Sequence, residues 1–299
     1  MKELTHIDNK GNIKMVDITE KKESLRVAKC SGKIYAQEET IDLIKKDKIE
    51  KGNVLTTAKI AGIMSAKNTS QIIPLTHPIK IDFIDIEFDI NKNYIEVIST
   101  VKTTDKTGVE MEAFVSVNVA LLTIYDMCKG VDRRMEISGI KLIEKTGGKT
   151  NFYRNKVLSV NISEKKGTVK KPVEFVNVIQ NFGIENDAHS SKDSNRQISL
   201  LSTISINKIK EKGINVDFGA FGENLTIKDI PIYKAPIGTK IYFENGVIIE
   251  ITQIGKECVE GCAISKETGF CVMPYEGVFA KVLKGGIIRK GEDIIIEWT

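Results

Sequence analysis

The chain is predicted to be an α+β protein of two domains, a sheet-and-helix half followed by a mostly-β half. Three observations predict this. The chain has 299 residues, beyond the span of about 100–200 residues usual for one domain. Helix and strand periodicities mix up to Gly147-Gly148-Lys149, after which short apolar runs separated by glycine take over. An apolar fraction of 41% beside 28% charged residues gives each half material for a core.

Residues 40–46 read as a short helix. Residues 53–67 read as a second, because Val54, Leu55, Ala58, Ala61 and Ile63 fall near helical spacing. Phe83, Ile84, Ile86 and Phe88, then Ile95, Val97, Ser99 and Val101, predict two strands joined by a turn at Asn91-Lys92-Asn93. Residues 111–128 form a long apolar helix without glycine or proline. Helices around a hairpin predict a sheet with helices on one face. Residues 150–156 are expected to be a linker, placing the domains at 1–151 and 152–299. Downstream, 157–160, Lys240–Phe243, 247–252 and Asp293–Trp298 read as strands of a barrel or sandwich, with a helix only at 203–212.

The formal charge of +4 calls for no nucleic-acid partner and suits small anionic substrates. No apolar run approaches a membrane span of roughly 18–20 residues. The polar N-terminus lacks the apolar stretch of a signal peptide. A cytoplasmic location with no membrane association is therefore expected. Five cysteines, an odd number, argue against a disulfide framework.

Chemistry-bearing residues cluster. His77 stands in Ile73-Pro74-Leu75-Thr76-His77-Pro78, where two prolines stiffen the loop around the imidazole. In Glu110-Met111-Glu112 both carboxylates point to one face if the segment is extended, and such closeness raises one pKa. The same pair also fits a helix N-terminus, where carboxylates are favoured. Asp126 and Lys129 lie one helical turn apart, as a surface ion pair or as a lysine held charged for a phosphate. Their place at the end of an apolar helix suggests partial burial. Lys51, Lys67 and Arg26 add cations suited to a polyphosphate, though lysines at helix ends also serve as solubilising residues. On one straight helix Glu112 and Asp126 stand about 21 Å apart, which favours a site shared between subunits.

Met15-Val16-Asp17-Ile18, Lys51-Gly52-Asn53-Val54-Leu55, Ala61-Gly62-Ile63 and the segments 73–78, 107–113, 122–132 and 144–149 together resemble cyclic pyranopterin monophosphate synthase, over roughly residues 4–149. The resemblance implies a ferredoxin-like α+β fold assembled as a hexamer. It implies rearrangement of 3′,8-cyclo-7,8-dihydro-GTP, supplied by an upstream radical GTP cyclase, to the cyclic phosphate with loss of pyrophosphate. By position it implies that Asp126, Lys129 and Lys51 are catalytic. Leu75, Thr76, His77, Glu110, Met111 and Glu112 bind substrate, and Arg26 and Lys67 serve the phosphates. Thr76 departs from the family's usual cysteine, and Asn68 from a frequent arginine. No resident cofactor is implied, although a Mg²⁺ ion could accompany the pyrophosphate.

In the second half, Asn186-Asp187-Ala188-His189, Arg196-Gln197-Ile198-Ser199-Leu200-Leu201 and Gly219-Ala220-Phe221-Gly222-Glu223-Asn224-Leu225-Thr226 suggest a lined cleft. Cys258, Cys262 and Cys271 admit three readings: an incomplete zinc site, a reactive thiol near Lys256, or buried free thiols. These motifs resemble a MOSC domain over about 157–299. The resemblance implies a β-barrel that binds the molybdenum cofactor or a pterin precursor, or carries sulfur. Cys258 becomes the candidate sulfur carrier, and His189 and Arg196 the candidate cofactor-binding residues. A bifunctional enzyme is thus expected. The alternatives are a non-catalytic carrier of pterin intermediates and a zinc-binding regulator.

Overall fold

In a computed structural model of the chain, which describes residues 10–166, 168–257 and 271–298, two units form, Met1–Asn151 and Phe152–Thr299. The first runs β1 (Ser24–Tyr35), α1 (Glu38–Lys45), α2 (Val54–Lys67), α3 (Thr69–Ile72), β2 (Phe83–Ile90), β3 (Tyr94–Asp105), α4 (Glu110–Cys128) and β4 (Glu136–Thr146). Its strands lie antiparallel in the order β4-β1-β3-β2. This is the ferredoxin-like arrangement.

The period-2 pattern of β3 buries Ile95, Val97, Ser99, Val101 and Thr103 on one face. α4 packs against β1 and β3, and α2 packs against α4. Gly32 on β1 is required by this contact: a Cβ there would meet Leu121 at 2.8 Å and Val117 at 3.0 Å. Asn53 starts α2 by accepting the Thr56 amide at 2.7 Å. Asn68 ends it by donating to the Met64 carbonyl at 2.9 Å. Contrary to the sequence expectation, α4 is long and apolar enough to cross a membrane. Ten of its residues, Leu121 and Ile124 among them, are instead buried in the unit's core.

The second unit runs β5 (Asn151–Ile162), β6 (Lys171–Val173), β7 (Phe175–Ile179), β8 (Gly183–Ile184), β9 (Ile198–Ser202), α5 (Thr203–Lys210), β10 (Leu225–Ile227), β11 (Lys240–Phe243), β12 (Ile248–Ile254), α6 (Met273–Glu276), β13 (Val278–Lys284), β14 (Gly286–Arg289) and β15 (Asp293–Trp298). Seven strands close a barrel in the order β5-β10-β9-β13-β12-β11-β15, with β15 returning to β5. Full closure leaves no free strand edge in the ring. The core is aliphatic, with Val157, Leu200, Ile249 and Ile296 each fully buried. A small separate sheet joins β14, β7 and β8.

The linker expected at 150–156 is instead the start of β5. Its mixed polar and aromatic residues alternate along a strand, and Tyr153 stacks on Trp298 with ring centroids 5.1 Å apart. α6 is a further helix that sequence periodicity missed, since it is only four residues long.

Candidate functional site

Residues Glu110, Met111 and Glu112 form the first turn of α4, so the extended reading is corrected. The preceding Gly108 and the helix-start preference for carboxylates decide the local conformation. The two carboxylates then diverge. Glu110 pairs with Lys145. Glu112 is 3% exposed, and burial, reinforced by the nearby Glu110 charge, pushes its pKa up to about 7. A carboxyl titrating near neutrality can both give and take a proton.

This turn borders a cavity of about 1260 Å³ that Arg26, Leu75, Thr76, His77, Glu110, Met111 and Glu112 all line. Seven residues predicted from sequence therefore meet in one place. Arg26 is aimed by its bonds to the carbonyls of Asp105, at 3.1 Å from Nε, and Lys106, at 3.3 Å from Nη2. The Thr76 hydroxyl donates to the Ile73 carbonyl at 2.8 Å and so tightens the turn that presents His77. Lys67, at the end of α2, does not border this cavity.

Sequence reasoning missed Asp17, Lys21, Lys22, Lys106, Lys145 and Lys149, which also line it. Asp17, Lys145 and Lys149 lay inside segments already singled out for their resemblance, so their charge was the available signal. Asp17 is held below the usual carboxylate range by bonds from Thr19, with the His77 charge contributing.

Lys51, Asp126 and Lys129 form a second group at the other end of α4. Lys129 Nζ lies 2.6 Å from Asp126 Oδ1, and Lys51 Nζ 3.0 Å from Oδ2. Lys51 also donates to the Asp126 carbonyl at 2.8 Å. Lys129 and then Lys51 lower the Asp126 pKa, and Asp126 raises that of Lys129. The expected partial burial is not found: all three side chains are about half exposed, at 49%, 57% and 55%. The groups lie at opposite ends of one helix, about 21 Å apart at 1.5 Å per residue.

The Glu112 environment has a pH consequence. Its folded pKa is raised above the unfolded value of about 4.5, so the folded state binds more protons between pH 4.5 and 7. Stability attributable to this group is present below pH 4.5 and is lost as pH rises to 7. Glu112→Gln is therefore expected to raise the unfolding temperature above pH 7, by roughly 1–3 kcal/mol in stability. The gain should vanish near pH 4.5; a gain independent of pH in thermal unfolding scans would refute the assignment.

In the second unit the polar motifs meet at Asn224, whose Oδ1 accepts the Ser199 hydroxyl at 2.9 Å and whose Nδ2 donates to Asp187, while Arg196 turns to Gln253. Asp187 accepts Lys170 Nζ at 2.5 Å, the Ser163 amide at 3.1 Å, Asn224 Nδ2 at 3.2 Å and the His189 amide at 3.1 Å. Burial opposes the Asp187 charge, but His189 and Lys170 outweigh it and hold the carboxyl well below its usual range. Glu223, fully buried, accepts the Gly219 amide at 2.6 Å, the Phe221 amide at 3.1 Å and the Thr226 hydroxyl at 3.2 Å. Its burial raises the pKa to about 6 despite these donors. His189 Nδ1 stands 3.6 Å from Asp187. Arg196 Nε donates to Gln253 at 2.7 Å. Cys258 and Cys262 lie outside the described residues, and Cys271 is buried. Among the described residues no cluster of three metal-ligating side chains occurs.

Lys170 and Asp187 are each 1% exposed. Lys170→Met leaves Asp187 buried without its ammonium partner, and is expected to destabilise this unit by roughly 3–5 kcal/mol. The single tryptophan, Trp298, reports on this unit, so denaturant titration by fluorescence reads the effect. An unchanged midpoint would remove the pair from the stability account.

A cavity lined by several cations, a buried carboxyl and an imidazole has the charge to hold a small anionic molecule and groups able to move protons. The MoaC family model matches residues 15–148. A cyclic pyranopterin monophosphate synthase of Clostridium perfringens is 54% identical over 152 residues, 50% of this chain and 96% of that protein. A molybdenum cofactor biosynthesis bifunctional protein of Chlorobaculum tepidum is 52% identical over 149 residues, 50% of this chain and 48% of that one. The chain belongs to the MoaC family. Among solved structures, the YUAD protein from Bacillus subtilis is 17% identical with a TM-score of 0.43, covering 50% of this chain and 99% of that one. At that level the likeness bears on neither mechanism nor ligand.

Proposed function

We propose that the protein acts in molybdenum cofactor biosynthesis, and that residues 1–151 convert 3′,8-cyclo-7,8-dihydro-GTP to cyclic pyranopterin monophosphate with release of pyrophosphate. The observation that carries this is the pairing of Asp126 with both Lys51 and Lys129, on the helix whose other end holds the buried Glu112. The lysines and Arg26 neutralise the triphosphate and the leaving pyrophosphate. Glu112, His77 and Asp126 move protons as the ring opens and recloses. Any Mg²⁺ arrives with the substrate phosphates, which suits an ion that retains several waters.

Since the two groups stand about 21 Å apart on one helix, the complete site combines one end of α4 with the opposite end from a second copy. Ile60 and Met64 of α2 and Leu122 of α4 are 54%, 59% and 57% exposed. These apolar side chains lie along the helices between the groups and supply a surface for that second copy. The proposed assembly is the hexamer implied by the family resemblance.

Residues 152–299 are proposed to bind an anionic molybdenum-cofactor-related ligand through His189 and Arg196, or to carry sulfur on Cys258. The convergence of Asp187, His189, Glu223 and Asn224 supports a built site there. The first test supplies the cyclic dihydro-GTP intermediate to the purified chain and measures pyrophosphate and pterin. Turnover supports the synthase reading; tight binding without turnover replaces it with a carrier.

A further inference from the structure

Phe279 stands on β13, between β9 and β12 in the barrel, in register with Ser199 on one side and Gln253 on the other. It is 6% exposed. The Arg196 guanidinium lies 5.5 Å from its ring centre and Lys256 Nζ lies 6.0 Å from it. Arg196 is oriented through Nε by Gln253, whose own amide is fixed by donating to the Gly255 carbonyl at 2.7 Å.

Two cations gathered on one ring repel each other, and the ring quadrupole offsets only part of that repulsion. Elsewhere in this unit Lys170, Lys208, Lys281 and Lys290 each have a carboxylate partner. Among the described residues neither Arg196 nor Lys256 forms an ion pair. Nearby, the buried Lys170 feels the Lys256 charge, and Asp187 already neutralises it. The buried Ser163 hydroxyl, whose backbone amide binds Asp187, has no hydrogen-bond partner. Among the described residues, the Phe279 ring thus gathers two cations that have no carboxylate partner.

We propose that Arg196 and Lys256, gathered on Phe279, form a clamp for the dianionic phosphate group of a small-molecule monoester. The guanidinium supplies a planar pair of donors and the ammonium a second charge. This rests on the reading of residues 152–299 as an anionic-ligand domain, and adds Lys256 and Phe279 to it.

The chain has only three histidines, so histidine-selective ¹³C labelling of the full chain separates the units: His77 reports the first cavity, and His189 reports the second unit, where Asp187 links it to Lys170, which feels the Lys256 charge. Titration with inorganic phosphate at fixed pH and ionic strength is expected to shift the His189 signal along a saturating curve. Arg196→Gln and Lys256→Gln should each raise the dissociation constant at His189 at least tenfold and leave the His77 response unchanged. Lys240→Gln, an exposed lysine on β11, should leave both unchanged. A saturating His189 shift indifferent to both clamp variants overturns the clamp while sparing the anionic-ligand reading. No His189 response to phosphate, with His77 responding normally, overturns the clamp and that reading of the domain together.

Discussion

Asp126→Asn is expected to reduce turnover by roughly 10²–10⁴-fold, the scale of a lost acid–base or charge-stabilising group. Lys129→Ala is expected to do the same. Asp126 accepts one lysine on each carboxylate oxygen, and the amide keeps the shape while removing the charge that holds both. Because the three side chains are about half exposed, their mutual attraction contributes little to folding. The unfolding temperature and oligomer size should therefore stay put while the rate collapses. A variant that retains near-normal rates in a steady-state pyrophosphate assay would remove Asp126 from the chemistry.

Mixing two inactive variants should restore activity. If Glu112 and Asp126 act on one substrate from different copies, a Glu112→Gln chain and an Asp126→Asn chain make hybrid pairs with one intact site. Random exchange in equal amounts then gives about a quarter of the native rate, since half the pairs are hybrid and half their sites are whole. The distance along α4 makes this restoration specific to a shared site. A site complete within one chain leaves the mixture as dead as its components after denaturation and joint refolding.

The hairpin of β2 and β3 and the helices α2 and α4 were legible because their periodicities were regular. The central strand β1 was not. Its sequence, Ser24-Leu25-Arg26-Val27-Ala28-Lys29-Cys30-Ser31-Gly32-Lys33-Ile34-Tyr35, scatters cations and small residues that tertiary contacts require, such as Gly32 beneath α4. β4 was missed for a similar reason: its polar residues hide the alternation. In the site, Asp126 and Lys129 were readable from helical spacing alone, because a one-turn separation fixes proximity. That Lys51 closes on the same carboxylate depends on α2 running back along α4, which local spacing does not encode. In the second unit the motifs were visible, whereas Lys170, their buried counter-charge, carried no local mark distinguishing it from the many surface lysines.

The second unit's ring is closed by its earliest strand, β5, and its latest, β15. Such a ring cannot be completed until the segment Asp293–Trp298 has been made, because β5 and β11 both wait for it. The first unit has all four of its strands by Thr146 and is free to fold during that interval. Synthesis thus sets an order, with an early, largely self-sufficient unit followed by one of high contact order that closes late. Until closure, β5 and β11 each present one unpaired edge on which another chain could add a strand.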